Sequence, residues 1–436
     1  MADRLVLFPR TAEIGRNGHL IIGGCDVLEL AGQFGTPLYI FDEATLRDKC
    51  RQFKAEFGKR YEDTTVAYAG KAFLNRALLG IIKDEGLGLD VVSGGELAIA
   101  ESVDFPMDMV YFHGNNKTGE ELRQAMRQHV GRIVVDNQDE LKMLVEIADE
   151  TGHIPDILLR ITPGVDPHTH KHITTGKFDS KFGFALFDAA DAVAQAMAAP
   201  SLSLVGFHFH IGSQIFETQP YQEAIELIVD FVADMQERYG LETEELNIGG
   251  GFAIQYEVNS PAPDISEYAR VIVSSLVEKC RERKIEPPSL AIEPGRSLIG
   301  QSGVALYRVG TIKDIAGIRR YVSVDGGMAD NIRPALYGAK YEAVVANKMT
   351  QKEHQEVTIA GKYCESGDIL AADIRLPQVE NGDIIAIPDC GAYCLAMASN
   401  YNVSLKPAIV LLNKGEARLI RRRETCEDLS RLDILD

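Results

Sequence analysis

Several short stretches of this sequence combine residue types that could act together on a small molecule. Tyr68-Ala-Gly-Lys71-Ala sets a lysine directly after an apolar run. Such a lysine is usually a solvated surface residue, yet one whose pKa is lowered by its neighbours is a nucleophile suited to Schiff-base chemistry. Gly249-Gly250-Gly251 and Glu293-Pro-Gly295-Arg296 follow two further apolar runs. Three glycines can be a simple tight turn; they also let backbone N–H groups approach a phosphate, and Arg296 adds a cation. A carboxylate such as Glu293, bonded to a pyridine nitrogen, favours the protonated ring, which is the better electron sink for a carbanion at Cα.

His208-Phe-His210-Ile-Gly-Ser213-Gln can be read in two ways. An H-x-H pair at a strand end can bind a metal, with His113 and Asp136 as further ligands. Alternatively, one histidine lies flat on a pyridoxal-phosphate ring while Ser213 reaches the phosphate. His168, His170 and His172 could form a second metal cluster, although loops beside a pocket more often shape substrate access. Farther along, Arg333 and Tyr337 suit bidentate capture of a carboxylate and Glu365, next to Cys364, suits an ammonium group.

These residues need a frame that brings them together. From about residue 65, β-branched runs alternate with segments of helical periodicity: 65–70, 87–93, 109–113, 132–136, 157–161, 204–210, 245–251 and 290–295. Eight near-continuously apolar strands alternating with helices predict a parallel (β/α)8 barrel of the TIM type, with an open doubly wound sheet as the alternative. The strands end on Lys71, Ser93, His113, Asp136, Arg160, His210, Gly249–Gly251 and Glu293–Arg296. Barrel enzymes build their sites at C-terminal strand ends, with phosphate held after strands seven and eight, so these residues should meet in one pocket. After residue 300 the pattern turns β-rich without long helices, which predicts a mainly antiparallel β-domain that also takes an N-terminal strand. The expected division is 36–300 for the barrel and 1–35 with 301–436 for the β-domain.

Composition narrows the function classes. The 436 residues carry a formal charge of −19, which repels phosphate backbones and anionic lipid, so neither nucleic acid nor a membrane is the expected partner. The seven cysteines are scattered without a C-x-x-C pair, as expected of reduced thiols in a cytoplasmic protein rather than a disulfide framework or structural zinc. Neither a signal-peptide pattern nor an apolar run of membrane-spanning length is present.

Taken together the motifs resemble the diaminopimelate decarboxylases, within the barrel-type, alanine-racemase-like class of pyridoxal-phosphate enzymes. They are YAGKA (68–72), DVVSGGEL (90–97), FHGNNKT (112–118), TGKFDSKFGF (175–184), HFHIGSQ (208–214), NIGGGF (247–252), EPGR (293–296), VDGGMADNIRPALY (324–337), CESGD (364–368) and CGAYCLAMASNYN (390–402), in family order. The resemblance implies that Lys71 binds pyridoxal 5'-phosphate covalently and that His210 stacks on its ring. It further implies that Ser213, Gly250, Gly295, Arg296 and Tyr393 hold the phosphate and that Glu293 pairs with the ring nitrogen. Arg296, Arg333, Tyr337 and Tyr393 would surround the substrate, Glu365 its distal ammonium, and Cys364 would give a proton to Cα. Family members are homodimers whose partner chain supplies the Cys364 segment, and no metal is expected. The implied reaction is decarboxylation of meso-2,6-diaminopimelate to L-lysine. The alternatives are a decarboxylase of the same class acting on ornithine, arginine or carboxynorspermidine and, more remotely, a metal-dependent barrel hydrolase using His208 and His210. The chain departs from the family's basic pattern at Tyr401-Asn-Val403-Ser404-Leu405-Lys406.

Overall fold

The computed structural model describes residues 1–165 and 180–435. The apolar runs fold as β1 (Thr64–Ala69), β2 (Gly88–Val91), β3 (Val110–Phe112), β4 (Arg132–Val135), β5 (Asp156–Thr162), β6 (Ser203–His208), β7 (Glu245–Asn247) and β8 (Ser289–Ile292). Each pairs in parallel with the next, and β8 returns to β1 with Leu290 opposite Thr64 and Ile292 opposite Val66. The sheet is therefore a closed eight-stranded barrel rather than an open doubly wound one. Strands buried on both faces need largely apolar sequence, which is why these runs do not alternate regularly. Inside the barrel Ala67, Val134, Leu158, Val205 and Ala291 pack with Tyr111, small residues making room for one large ring.

Polar residues just past the strands start the following helices. Asn75, Ser93 and Asn137 accept hydrogen bonds from the N–H groups of Leu78, Glu96 and Glu140, and Thr118 with Glu121 forms a reciprocal capping box. Each such cap stabilises its helix by about 1 kcal/mol. Ser93, expected at the site as a strand-end residue, is thus a helix cap, and the first turns of these helices lie at the C-terminal end of the barrel.

The chain divides into one compact unit of Cys50–Ala253 with Ala262–Gly295, which contains the barrel, and another of Met1–Lys49, Ile254–Pro261 and Arg296–Asp436. The second unit holds a nine-stranded sheet whose main path runs Ile369–Leu376, Gln355–Ala360, Arg319–Val324, Gly303–Ile315, Leu38–Asp42, Ala408–Asn413, Glu416–Arg421. Most pairs are antiparallel; Leu38–Asp42 with Ala408–Asn413 and Arg319–Val324 with Gln355–Ala360 are parallel. The strand that the amino-terminal region gives to this sheet is Leu38–Asp42, not one from the first 35 residues. Those form their own three-stranded sheet, turned at Gly18, Gly23 and Gly24, all with positive φ. All five residues of Leu38–Asp42 are buried, so by sequence alone this strand reads like a barrel strand.

Candidate active site

Lys71 follows β1 on a single 3-10 turn, Gly70–Ala72. Its Nζ donates to Asp90 Oδ2 at 2.7 Å, while its side chain keeps 42% of its surface open. Asp90 sits in β2 and is buried. Glu96, in the helix that Ser93 caps, accepts from the Val92 N–H. Burial, and then the charge of Asp90, push the Glu96 carboxyl up to about 7 although Lys71 draws it down.

Glu293, immediately beyond β8, is the centre of the buried polar network. His113 Nε2 lies 2.7 Å from its Oε1, His208 Nε2 lies 3.3 Å from its Oε2, and Asn247 Nδ2 donates to Oε1 at 2.7 Å. Burial alone would raise this carboxyl, but His113 and His208 outweigh it and hold Glu293 well below the usual carboxylate range. Burial likewise pushes His208 down to about 3 despite Glu293. Glu293 is therefore an anion and His208 a neutral donor. His113 Nε2 is also 3.8 Å from Asp90 Oδ1, so the partners of Lys71 and the partners of Glu293 form one chain of contacts. Among the described residues, His113, His208 and Glu293 place ligand atoms within 4.8 Å of one another, a spacing that could bind a metal ion. The His208–His210 pair of the hydrolase reading is not part of that group.

The glycines after β7 are required by contact. A Cβ at Gly250 would stand 2.2 Å from the Glu293 carbonyl oxygen. At Gly249 it would stand 2.7 Å from His210 Nδ1, and at Gly251 2.7 Å from the Gly212 carbonyl oxygen, both at positive φ. Gly250 N–H donates to His210 Nδ1 at 3.2 Å, which fixes the half-buried His210 ring by its inner edge. Burial and then Lys71 hold His210 well below its ordinary pKa, hence neutral. Lys71, His113, Lys117, Arg160, His208, His210 and Glu293 line one cavity of about 470 Å³ at this end of the barrel. Asp136, expected there, is buried 3.9 Å from Arg160. Ser213 is exposed on the loop after β6, and His168, His170 and His172 lie outside the described residues.

The second unit gathers another set. Arg296 Nη1 and Arg333 Nη1 both donate to the hydroxyl of Tyr256, at 2.8 and 2.9 Å. Arg333 also donates to Tyr341 at 2.5 Å, and Arg296 lies over the Tyr393 ring at 4.7 Å. Tyr337 is 63% exposed. Cys364 is exposed; its N–H donates to Asn402 Oδ1, and its carbonyl accepts from Tyr401. Glu365 is exposed and accepts from Ser366 and the Gly367 N–H. Val403, in the segment that departs from the family pattern, is 70% exposed with positive φ.

Asp90, Glu96, Asn247 and Tyr256 were not singled out by sequence. Asp90 does leave a signal, a lone polar residue inside an otherwise apolar barrel strand.

A closed parallel barrel with a lysine after its first strand and a buried carboxylate after its eighth agrees with the class assigned by comparison. Residues 43–300 match the family model described as pyridoxal-dependent decarboxylase, pyridoxal binding domain, so this is a barrel-type pyridoxal-dependent decarboxylase. The chain is 47% identical to diaminopimelate decarboxylase of Bacillus subtilis over 97% of both chains. It is 46% identical to that of Synechocystis over 98% of this chain and 93% of the other. The crystal structure of the M. jannaschii diaminopimelate decarboxylase with L-lysine superposes at a TM-score of 0.93, with 38% identity and 98% of each chain covered. The chain belongs to the diaminopimelate decarboxylase family.

Proposed function

We propose that this chain decarboxylates meso-2,6-diaminopimelate to L-lysine and carbon dioxide, the last step of lysine biosynthesis, with pyridoxal 5'-phosphate as cofactor. One observation carries the reading: the Lys71 amine and the ionised Glu293 carboxylate face the same barrel cavity. The cavity suits the cofactor, because it presents an amine for its carbonyl carbon and an anion for a ring nitrogen. Gly249–Gly251 follow β7, the end at which barrel folds commonly hold a phosphate, and their Cβ positions are filled by Glu293, His210 and Gly212, so this backbone turn admits no side chains. Lys71 would hold the cofactor covalently, His210 would lie on its ring, and Ser213, Gly250, Gly295, Arg296 and Tyr393 would hold its phosphate. When bound, pyridoxal phosphate supplies a ring that accepts the electron pair of the breaking Cα–carboxylate bond.

The remaining chemistry belongs to the chain. Glu293, kept anionic by His113 and His208, holds a proton on the ring nitrogen. Arg296 and Arg333 grip the distal carboxylate, Tyr337 and Tyr393 flank it, and Glu365 takes the distal ammonium. Cys364 Sγ delivers a proton to the carbon that lost its carboxylate. We read the working form as a cytoplasmic homodimer in which the Cys364–Glu365 segment serves the partner's site. Arg333 favours diaminopimelate over ornithine or arginine, since a distal ammonium or guanidinium without a carboxylate would meet like charge there.

Purified protein supplied with pyridoxal phosphate and offered meso-diaminopimelate, ornithine, arginine and lysine in parallel should release carbon dioxide from the first alone. Release from ornithine or arginine instead would overturn the substrate assignment. Release from none, together with metal-dependent hydrolysis, would overturn the class of reaction.

A further inference from the structure

Tyr256 belongs to the segment Ile254–Pro261, which joins the unit of Arg296 and Arg333 although it follows β7 in sequence. Its hydroxyl oxygen receives one N–H from each arginine, at 2.8 and 2.9 Å, and both guanidinium groups lie over its ring, at 5.9 and 4.9 Å from the centroid. A phenol oxygen has two lone pairs and one proton. With both lone pairs taken by arginines, what remains is a single donor, and among the described residues none accepts it. Tyr341 differs: it too receives Arg333, but its hydroxyl has the Cys394 sulfur 3.6 Å away as a partner.

We propose that Tyr256 is a third binding group for the distal carboxylate of the substrate, one that fixes Arg296 and Arg333 on a common oxygen and offers its own hydroxyl proton to the same anion. Burial raises the Tyr256 phenol in spite of the two arginines, which keeps the proton on the oxygen. Two cations tied to one neutral oxygen cannot turn away from each other, so they are set for an anion before it arrives. A ligand without a distal carboxylate gains nothing from this arrangement. Tyr256 is on this reading a specificity residue, and the inference rests on the diaminopimelate assignment above.

The test compares L-lysine, which keeps the distal carboxylate after decarboxylation, with 1,5-diaminopentane, which has the same chain and amines without it. Each is titrated into the cofactor-loaded enzyme, and binding is read from the visible absorbance change as its amine displaces Lys71. Tyr256→Phe keeps the ring and removes only the hydroxyl. It should weaken lysine about tenfold or more, the usual effect of losing a hydrogen bond to a charged group, and leave diaminopentane unchanged. KM for diaminopimelate should rise in step while kcat stays near wild type. If Tyr256→Phe weakens both ligands alike, or neither, the inference is wrong and Tyr256 only packs. If the wild-type enzyme itself fails to prefer lysine to diaminopentane, it is the substrate assignment that fails.

Discussion

Replacing Asp90 by asparagine removes the charge that faces Lys71 while keeping its size. The 2.7 Å contact would be worth about 6 kcal/mol at an effective dielectric of about 20 if it were fully enclosed. The Lys71 side chain is 42% exposed, so water screens most of that, leaving roughly 1 kcal/mol. The sign follows from the charge removed: without the carboxylate the ammonium loses stabilisation, so Lys71 gives up its proton at lower pH. Glu96 opposes part of this shift. Its carboxyl stands at about 7 because of burial and then because of Asp90. Once Asp90 is neutral, Glu96 ionises more fully at neutral pH and supplies part of the missing negative charge. The expected change is therefore smaller for Asp90→Asn than for Asp90→Asn with Glu96→Gln.

The assay follows cofactor loading rather than turnover. Apoprotein is mixed with pyridoxal phosphate at a series of pH values, and the growth of the visible band gives a rate that depends on the fraction of Lys71 present as free amine. The midpoint of that profile should move to lower pH in Asp90→Asn and farther in the double variant. A midpoint that stays in place or moves up would refute the view that Asp90 holds Lys71 as ammonium. A double variant no different from the single one would refute the compensation by Glu96.

Three further outcomes are expected. Glu293→Gln should retain pyridoxal phosphate, because the phosphate contacts lie elsewhere, yet lose kcat by orders of magnitude; undiminished kcat in a loaded variant would show that Glu293 does not hold the ring proton. Arg333→Ala should cost about 2–5 kcal/mol in kcat/KM for diaminopimelate, since it leaves a desolvated carboxylate without its partner, and normal turnover would return the substrate to the dibasic alternatives. Inactive Lys71→Ala and Cys364→Ala chains, co-expressed, should regain roughly a quarter of wild-type activity, because about half the dimers are mixed and each mixed dimer has one intact site. Verified mixed dimers that remain inactive would place both residues in one chain's site.

Much of the barrel was legible because its strands obey a single rule. A strand covered on both faces must be largely apolar, and most of β1 to β8 are, although Asp90 interrupts β2 and only Leu246 of β7 is apolar. The same rule hid Leu38–Asp42, whose five buried residues give it the texture of a barrel strand while its partners are Gly303–Ile315 and Ala408–Asn413. Ile369–Leu376 was missed for the opposite reason: its exposed Ala372, Asp373 and Arg375 break the apolar pattern, as suits an edge strand. Among site residues, Lys71 and Glu293 stand in recognisable motifs at strand ends, where the barrel frame alone predicts chemistry. Tyr256 carries no such mark, lying on an irregular segment 40 residues from Arg296 and 77 from Arg333 in sequence. Glu96 was hidden by a plausible local role. Ser93-x-x-Glu96 reads as a capping box, and Ser93 does accept the Glu96 N–H, but the Glu96 carboxylate turns to the Val92 N–H.

The buried carboxylate and the glycine turn after β7 have opposite electrostatics, and the difference follows from what surrounds each group. Around Glu293 the strands carry His113, His208 and Asn247, three side chains able to donate toward one buried carboxylate. A carboxylate taken out of water without them would pick up a proton, and a neutral acid cannot hold a proton on a pyridine nitrogen. Breaking such a buried set by deleting one member typically costs about 3–5 kcal/mol, whereas an apolar layer of equal volume would be at least as stable. Fold stability alone therefore gives no reason to bury four ionisable side chains, Asp90, His113, His208 and Glu293, in the mouth of the barrel. The glycine turn shows the complementary arrangement. Gly249, Gly250 and Gly251 contribute no side chain and no charge, only backbone brought so close to the end of β8 that a Cβ at Gly250 would overlap the Glu293 carbonyl. Neutral peptide dipoles suit a phosphate that brings its own charge, while a ring nitrogen that must be kept protonated needs an anion fixed beside it.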